Sequence, residues 1–315
     1  MSKRSFYTER FVLPPLFRGA NLTMAEVEHV LEIHNVIGEG PIWHSGEGVL
    51  YWVNFIGDYQ ILRFSPQTRK LDVFATGMPV MALGIRTGGG FITATAKGMA
   101  MWDTERKEFG PLCNPLAGRT DFRFNDAATD SEGRFWVGTM NDANPKEPDG
   151  ELFCFRKDGS YQVMDNNITV SNGIGWSPDQ RIMYFTDSFR YSIYAYDYVA
   201  ATGAISNRRT FVQTIPDGGL PDGLTVDREG GVWSAYCGGW RVVRYNPEGK
   251  VDREYRFPVA NPTSCAFGGE RLDELYVTSA HLGLSDQQKE QCPQSGDLFC
   301  IKPGVVGFDE PRFAG

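Results

Sequence analysis

Several familiar kinds of site are missing from this sequence. Its six cysteines (Cys113, Cys154, Cys237, Cys265, Cys292 and Cys300) form no Cys-x-x-Cys pair, so neither a thiolate metal site nor a dithiol redox motif is expected. Cys154 and Cys300 end matching strings, Glu151-Leu152-Phe153-Cys154 and Asp297-Leu298-Phe299-Cys300. The set reads as buried strand thiols in a reducing compartment, hence a cytoplasmic location. No Gly-x-Ser-x-Gly elbow occurs, and the four histidines (His29, His34, His44 and His281) stand apart from any Ser–Asp arrangement. A covalent nucleophile is therefore not expected. No window approaches the roughly 18 apolar residues of a membrane span. Lys3 and Arg4 lead into no apolar run, because Arg10, Pro14, Pro15 and Arg18 interrupt it, so no secretory signal is read. Basic residues are in deficit: the net charge is −8, which argues against nucleic-acid or anionic-membrane partners.

Turn-forming residues, by contrast, are plentiful, with 36 Gly and 18 Pro separating short β-type runs and no convincing long helix. Strand-like triplets recur as Tyr51-Trp52-Val53, Phe91-Ile92-Thr93, Phe135-Trp136-Val137, Met183-Tyr184-Phe185, Val232-Trp233-Ser234 and Leu275-Tyr276-Val277. Their spacing of roughly 40 to 49 residues matches four-stranded propeller blades. The expected fold is all-β, a six-bladed β-propeller with four-stranded blades and a site in the central channel. The segment Val27–Ile33 is expected to close the last blade as its outer strand, so that residues 25–315 form one domain. Residues 1–24 form an N-terminal extension, either an arm that joins copies into a homo-oligomer, a cover on the propeller or a loose tail.

Glu39, Asn125, Asn172 and Asp222 stand at one phase of this repeat, about 11 to 13 residues before their triplet centres. Equal phase in a propeller means one level around the axis, so these four are expected to meet at one mouth of the channel. Blades 2 and 6 place the neighbourhoods of Met81 and Ser264 there, without a charged ligand. Buried together, two carboxylates are costly unless a cation relieves them, and all-oxygen ligation favours a hard divalent ion. A competing reading is turn chemistry, since Asn and Asp before Gly are common turn formers. The Asp-x-Glu-Gly turns opened by Asp130 and Asp227 lack EF-hand spacing. Trp102, Trp136, Trp176 and Trp233 read as packing between sheets, and His281 as a solvent-facing or strand-packed residue.

Taken together, Glu39-Gly40-Pro41, Arg123-Phe124-Asn125-Asp126, Gly138-Thr139-Met140, Ser171-Asn172-Gly173, Tyr196-Asp197-Tyr198, Ser206-Asn207-Arg208-Arg209, Pro221-Asp222-Gly223 and Cys265-Ala266-Phe267-Gly268-Gly269 resemble a known family. It is the senescence marker protein (regucalcin)/gluconolactonase/luciferin-regenerating-enzyme family. The resemblance runs from about Val36 to Val305. It implies a six-bladed propeller with a divalent metal on its axis, Ca²⁺ foremost and Zn²⁺, Mn²⁺, Mg²⁺ or Fe²⁺ as alternatives. It also implies hydrolysis of a sugar-derived lactone, such as an aldonolactone, to the acid.

By the same resemblance Glu39, Asn172 and Asp222 are metal ligands, with Asp222 also the general base. Asn125 is a ligand or a substrate contact, and Arg123 and Asp142 bind substrate oxygens. Two departures stand out. Asn141-Asp142-Ala143 keeps one acidic residue where some lactonases carry a pair, and Asn54 replaces a usual Asp. Two alternatives remain: an organophosphatase or ester hydrolase on the same propeller, and a non-catalytic calcium-binding propeller.

Overall fold

The computed structural model describes residues 27–315. The N-terminal extension read over residues 1–24, with its suggested role in oligomerisation, lies outside them. The described chain forms six antiparallel sheets of four strands each. In sequence order the innermost strands are Gly38–His44, Val80–Ile85, Phe122–Thr129, Ser171–Trp176, Leu220–Val226 and Asn261–Gly268. Each packs on the inner strands of the blades to either side, and Asn261–Gly268 returns to Gly38–His44, so the ring closes. This is the expected six-bladed β-propeller.

Closure joins the two ends of the described chain. Glu28–Leu31 pairs antiparallel with Leu298–Ile301 as the outermost strand of blade 6, within the segment expected to close it. Asp297 fixes the joint: its Oδ1 accepts from the Ile33 and His34 amides at 2.8 and 2.9 Å, and its Oδ2 lies 2.8 Å from His29 Nε2.

Neighbouring blades cover both faces of each sheet, which explains the near-continuous apolar second strands. Val49–Asn54, Phe91–Thr95, Phe135–Asn141 and Val232–Cys237 are buried throughout, while the outer strand Ala204–Gln213 is largely exposed. Aromatic rings mortise the blades. Trp136 meets Trp176 edge-on at 6.2 Å between blades 3 and 4, and Trp43 stacks on Tyr276 at 5.8 Å between blades 1 and 6. The tryptophans therefore pack as the sequence predicts; Trp102, Trp136 and Trp233 are fully buried.

Two of the turns that follow inner strands carry a buried aspartate. Asp130 Oδ2 accepts from Trp136 Nε1, Arg134 Nε and the Tyr198 hydroxyl at 2.8, 2.6 and 2.8 Å. Asp227 Oδ2 accepts from Trp233 Nε1 and Arg244 Nε, both at 2.7 Å. These carboxylates anchor blade cores rather than ions.

The C-terminal segment crosses this same face. The Arg228 amide donates to Val306 O, Gly307 to Leu272 O, Phe313 to Ile85 O and Ala314 to Gly133 O. Ser45 Oγ donates to Asp309. The segment thus spans blades 5, 6, 1, 2 and 3 as a strap, at the end of the inner strands opposite to Glu39 and its phase-mates. Phe313 is fully buried in the same core cluster as Ile85, Phe91 and Phe135.

Candidate functional site

Each of the six inner strands carries a register slip near its start. The slips fall between Glu39 and Ile42, Val80 and Ala82, Phe124 and Ala127, Ser171 and Ile174, Pro221 and Leu224, and Pro262 and Ser264. An extra residue at a bulge bends the strand and re-aims its side chains. Asn125, Asn172 and Asp222 lie inside their slips and Glu39 at the edge of its own. Equal phase in the sequence is therefore equal position at a bulge. Met81 occupies the slip of blade 2, and in blade 6 it is Thr263, whose hydroxyl is spent on Gly38 O.

Glycine follows three of the four polar residues, at Gly40, Gly173 and Gly223. At two of them the next inner strand comes too close for a side chain: a Cβ on Gly173 would lie 2.3 Å from Leu224 N, and one on Gly223 would lie 2.8 Å from Ser264 Cα. Gly40 instead adopts φ +54°, in the left-handed region. Blade 3 breaks the pattern by placing Asp126 after Asn125.

The mouth of the channel holds a small cavity. One part of its wall is polar (Glu39, Arg123, Asn125, Asn172, Ser188 and Asp222) and the rest apolar (Ile37, Phe55, Val170, Leu220 and Cys237). Five of the six residues expected at the site thus converge on one cavity. Asp142 does not line it. Its carboxylate accepts from Arg123 Nε at 2.8 Å, so it touches the site only through that arginine. Arg123 Nη1 also donates to the Phe124 carbonyl at 3.0 Å and to Asn125 Oδ1, and its guanidinium lies 5.4 Å from the Phe55 ring centre. Asn125 Nδ2 in turn donates to Ser171 O and Asn172 Oδ1, at 2.7 and 2.9 Å. Asn54, the second departure from the family pattern, accepts from the Ile37 amide at 3.1 Å and serves the entry to an inner strand. His281 is half-buried outside the cavity wall.

Glu39, Asn172 and Asp222 are buried, at 7%, 5% and 5% exposure. Burial first, and then the charges of Asp222 and Asp126, push the Glu39 carboxyl well above its ordinary range; the Gly40 amide and Arg123 offset this only in part. Asp222 is pushed well up by burial and then by Asp126. Asp126 itself rises to about 6 through burial. The anionic group therefore has three carboxylates, not two. Asp126 is the member that sequence reasoning missed, although it follows Asn125 where the other blades have glycine.

Arg123, whose charge reaches Glu39, is paired with Asp142. Among the described residues no three His, Cys, Asp or Glu side chains converge with metal-ligating geometry. The channel set differs in kind, with two carboxylates and an amide oxygen at the cavity and the buried Asp126 acting on both carboxylates by its charge. Such oxygen donors, buried with excess negative charge, fit a hard divalent cation.

Comparisons with known proteins agree with this architecture. Residues 37–281 match the SMP-30/Gluconolactonase/LRE-like region. Regucalcin of Xenopus laevis is 35% identical over 300 residues, covering 93% of this chain and all of that protein. The 6-deoxy-6-sulfogluconolactonase of Pseudomonas putida is 34% identical, covering 89% of this chain and 96% of its own. Among solved structures, a calcium-binding protein, regucalcin, from Agrobacterium tumefaciens superposes with a TM-score of 0.88 at 25% identity, over 93% of this chain and 99% of that one. On fold and sequence alike, the chain belongs to the SMP-30/gluconolactonase/LRE-like family.

Proposed function

We propose that this protein is a divalent-metal-dependent lactonase that opens a sugar-derived lactone to its hydroxy acid. The observation that carries the reading is the meeting of Glu39, Asn172 and Asp222 with Arg123 and Asn125 in one cavity wall. The sulfogluconolactonase relative supports the substrate class, and the calcium-binding structural neighbour supports the ion. Free thiols throughout the described residues suit a reducing compartment such as the cytoplasm.

Glu39, Asn172 and Asp222 would hold the ion, which when bound supplies carbonyl polarisation and oxyanion stabilisation worth several kcal/mol. The protein's own residues do the rest. Arg123 is clamped by Asp142 and Asn125 before substrate arrives, so it orients ring oxygens at little entropic cost. The apolar wall of Phe55, Val170 and Leu220 limits water at the cavity. Asp222 is the general base: its buried carboxylate takes a proton from water as the water oxygen bonds to the lactone carbonyl carbon. The ring C–O bond then breaks, and the proton passes to the departing ring oxygen, giving the hydroxy acid.

The test is proton release from glucono-lactone in a pH-stat. Asp222→Asn is expected to lower turnover by about 10²–10⁴-fold, the usual span for a lost general base. Undiminished turnover in that variant would remove Asp222 from the reaction.

A further inference from the structure

Ser188 stands just beyond the second strand of blade 4 and is 2% exposed. Its hydroxyl has two partners in the site. Ser188 Oγ lies 2.7 Å from Pro221 O and 2.8 Å from the Asn172 amide nitrogen Nδ2. A serine hydroxyl carries one proton. Pro221 O is a carbonyl and can only accept, so that proton goes to it. Toward Asn172 the hydroxyl can then only accept, and the amide atom facing it must be the NH₂ group. This assignment follows from donor counting and does not depend on telling amide oxygen from nitrogen by position. The other end of the amide, Oδ1, is thereby turned toward the channel. There it accepts one bond from Asn125 Nδ2 at 2.9 Å, and its second lone pair stays available.

The same hydroxyl ties two ligands from different blades together. Asn172 belongs to blade 4, and Pro221 is the residue immediately before Asp222 in blade 5. From this geometry we infer that Ser188 is the positioning residue of the cation site: it locks the Asn172 amide with its oxygen toward the ion. Without it, only the bond from Asn125 Nδ2 opposes a half-turn of the amide that would present NH₂, which repels a cation. The inference rests on the metal reading under Proposed function and adds the device that makes an uncharged side chain serve as a ligand there.

The test exploits the symmetry of a carboxylate. Asn172→Asp offers oxygen whichever way the group turns, so it needs no lock. Ca²⁺ and Zn²⁺ are titrated in turn into metal-stripped protein by calorimetry, in four forms: wild type, Ser188→Ala, Asn172→Asp and the double variant. Ser188→Ala is expected to weaken cation binding about tenfold or more in the Asn172 background, and less than about twofold in the Asn172→Asp background. Ser188→Thr keeps the hydroxyl and should bind as wild type does, which guards against a variant that simply folds poorly. Equal loss in both backgrounds would mean that Ser188 supports only the local fold, and no loss in the Asn172 background would overturn its role altogether. If wild type binds neither cation, the metal reading fails first and the inference falls with it.

Discussion

Asp126 stands where blades 1, 4 and 5 carry Gly40, Gly173 and Gly223, and it turns a pair of buried carboxylates into three. Its carboxyl rises to about 6, above its ordinary value of 3.8, so its contribution to metal-free stability is complete below the lower value. That contribution is lost as pH rises through the upper one. Asp126→Asn should therefore raise the melting temperature of metal-stripped protein at pH 8 and leave it nearly unchanged at pH 3.5. The same substitution should weaken cation binding about tenfold or more, by removing a nearby charge from a poorly screened interior. A melting temperature that moves equally at both pH values would show that ionisation is not the cause. Glu39, Asn125, Asn172 and Asp222 were legible because a repeat carries phase in its spacing. Asp126 was hidden because spacing gives no direction: a residue one step from Asn125 reads as part of the same turn. Ser188 was hidden for a related reason, since it reaches Asn172 from the end of a different strand.

Among the elements, the inner strands with their bulges do the aiming. Alternating composition and turns were enough to read the blades, and even the closing strand near Val27–Ile33, because these depend on local periodicity. The register slips were not readable, because a one-residue bulge leaves the hydrophobic pattern almost intact while bending the backbone beneath it. The Asp-x-Glu-Gly turns gave a clear negative: they lack ion-binding spacing, and in the structure Asp130 and Asp227 hold tryptophan and arginine instead. Asp227→Ala would leave the buried Trp233 Nε1 unpaired and strip Arg244 of its most buried acceptor. Breaking a buried ion pair from one side costs about 3–5 kcal/mol. Urea unfolding should register a loss of that order with the slope unchanged, and a loss below about 1 kcal/mol would assign the buried pair little weight.

The whole molecule is closed twice, by the strand Glu28–Leu31 at the rim and by the C-terminal strap across the face opposite the cavity. The sequence suggested the first closure but not the second, since Phe313 and its neighbours show no period that marks where they dock. Phe313→Ala should cost about 3–5 kcal/mol, as expected for a fully buried phenylalanine. Thermal unfolding measures it, and a negligible change would mean the strap is not anchored there. Glu310 in the strap is half-buried, and desolvation and the charge of Asp309 push its carboxyl up to about 8 from an ordinary 4.5. Its share of stability is thus complete below the lower value and is lost as pH rises through the upper one. Glu310→Gln should accordingly gain stability over wild type as pH increases across that interval, and a gap that stays constant from pH 4 to 9 would contradict it.

In the proposed function, the ring of six bulged strands would build a cation site that serves lactone opening. The most direct measurement is proton release from a panel of sugar lactones, with ester and fluorophosphate substrates alongside, on protein stripped of metal and then reloaded. Turnover of at least one sugar lactone is expected, lost on chelation and restored by Ca²⁺ or another divalent ion, with the other substrates slower. Metal-independent turnover, preference for the fluorophosphate, or a cation that raises the melting temperature without any lactone turning over would contradict it.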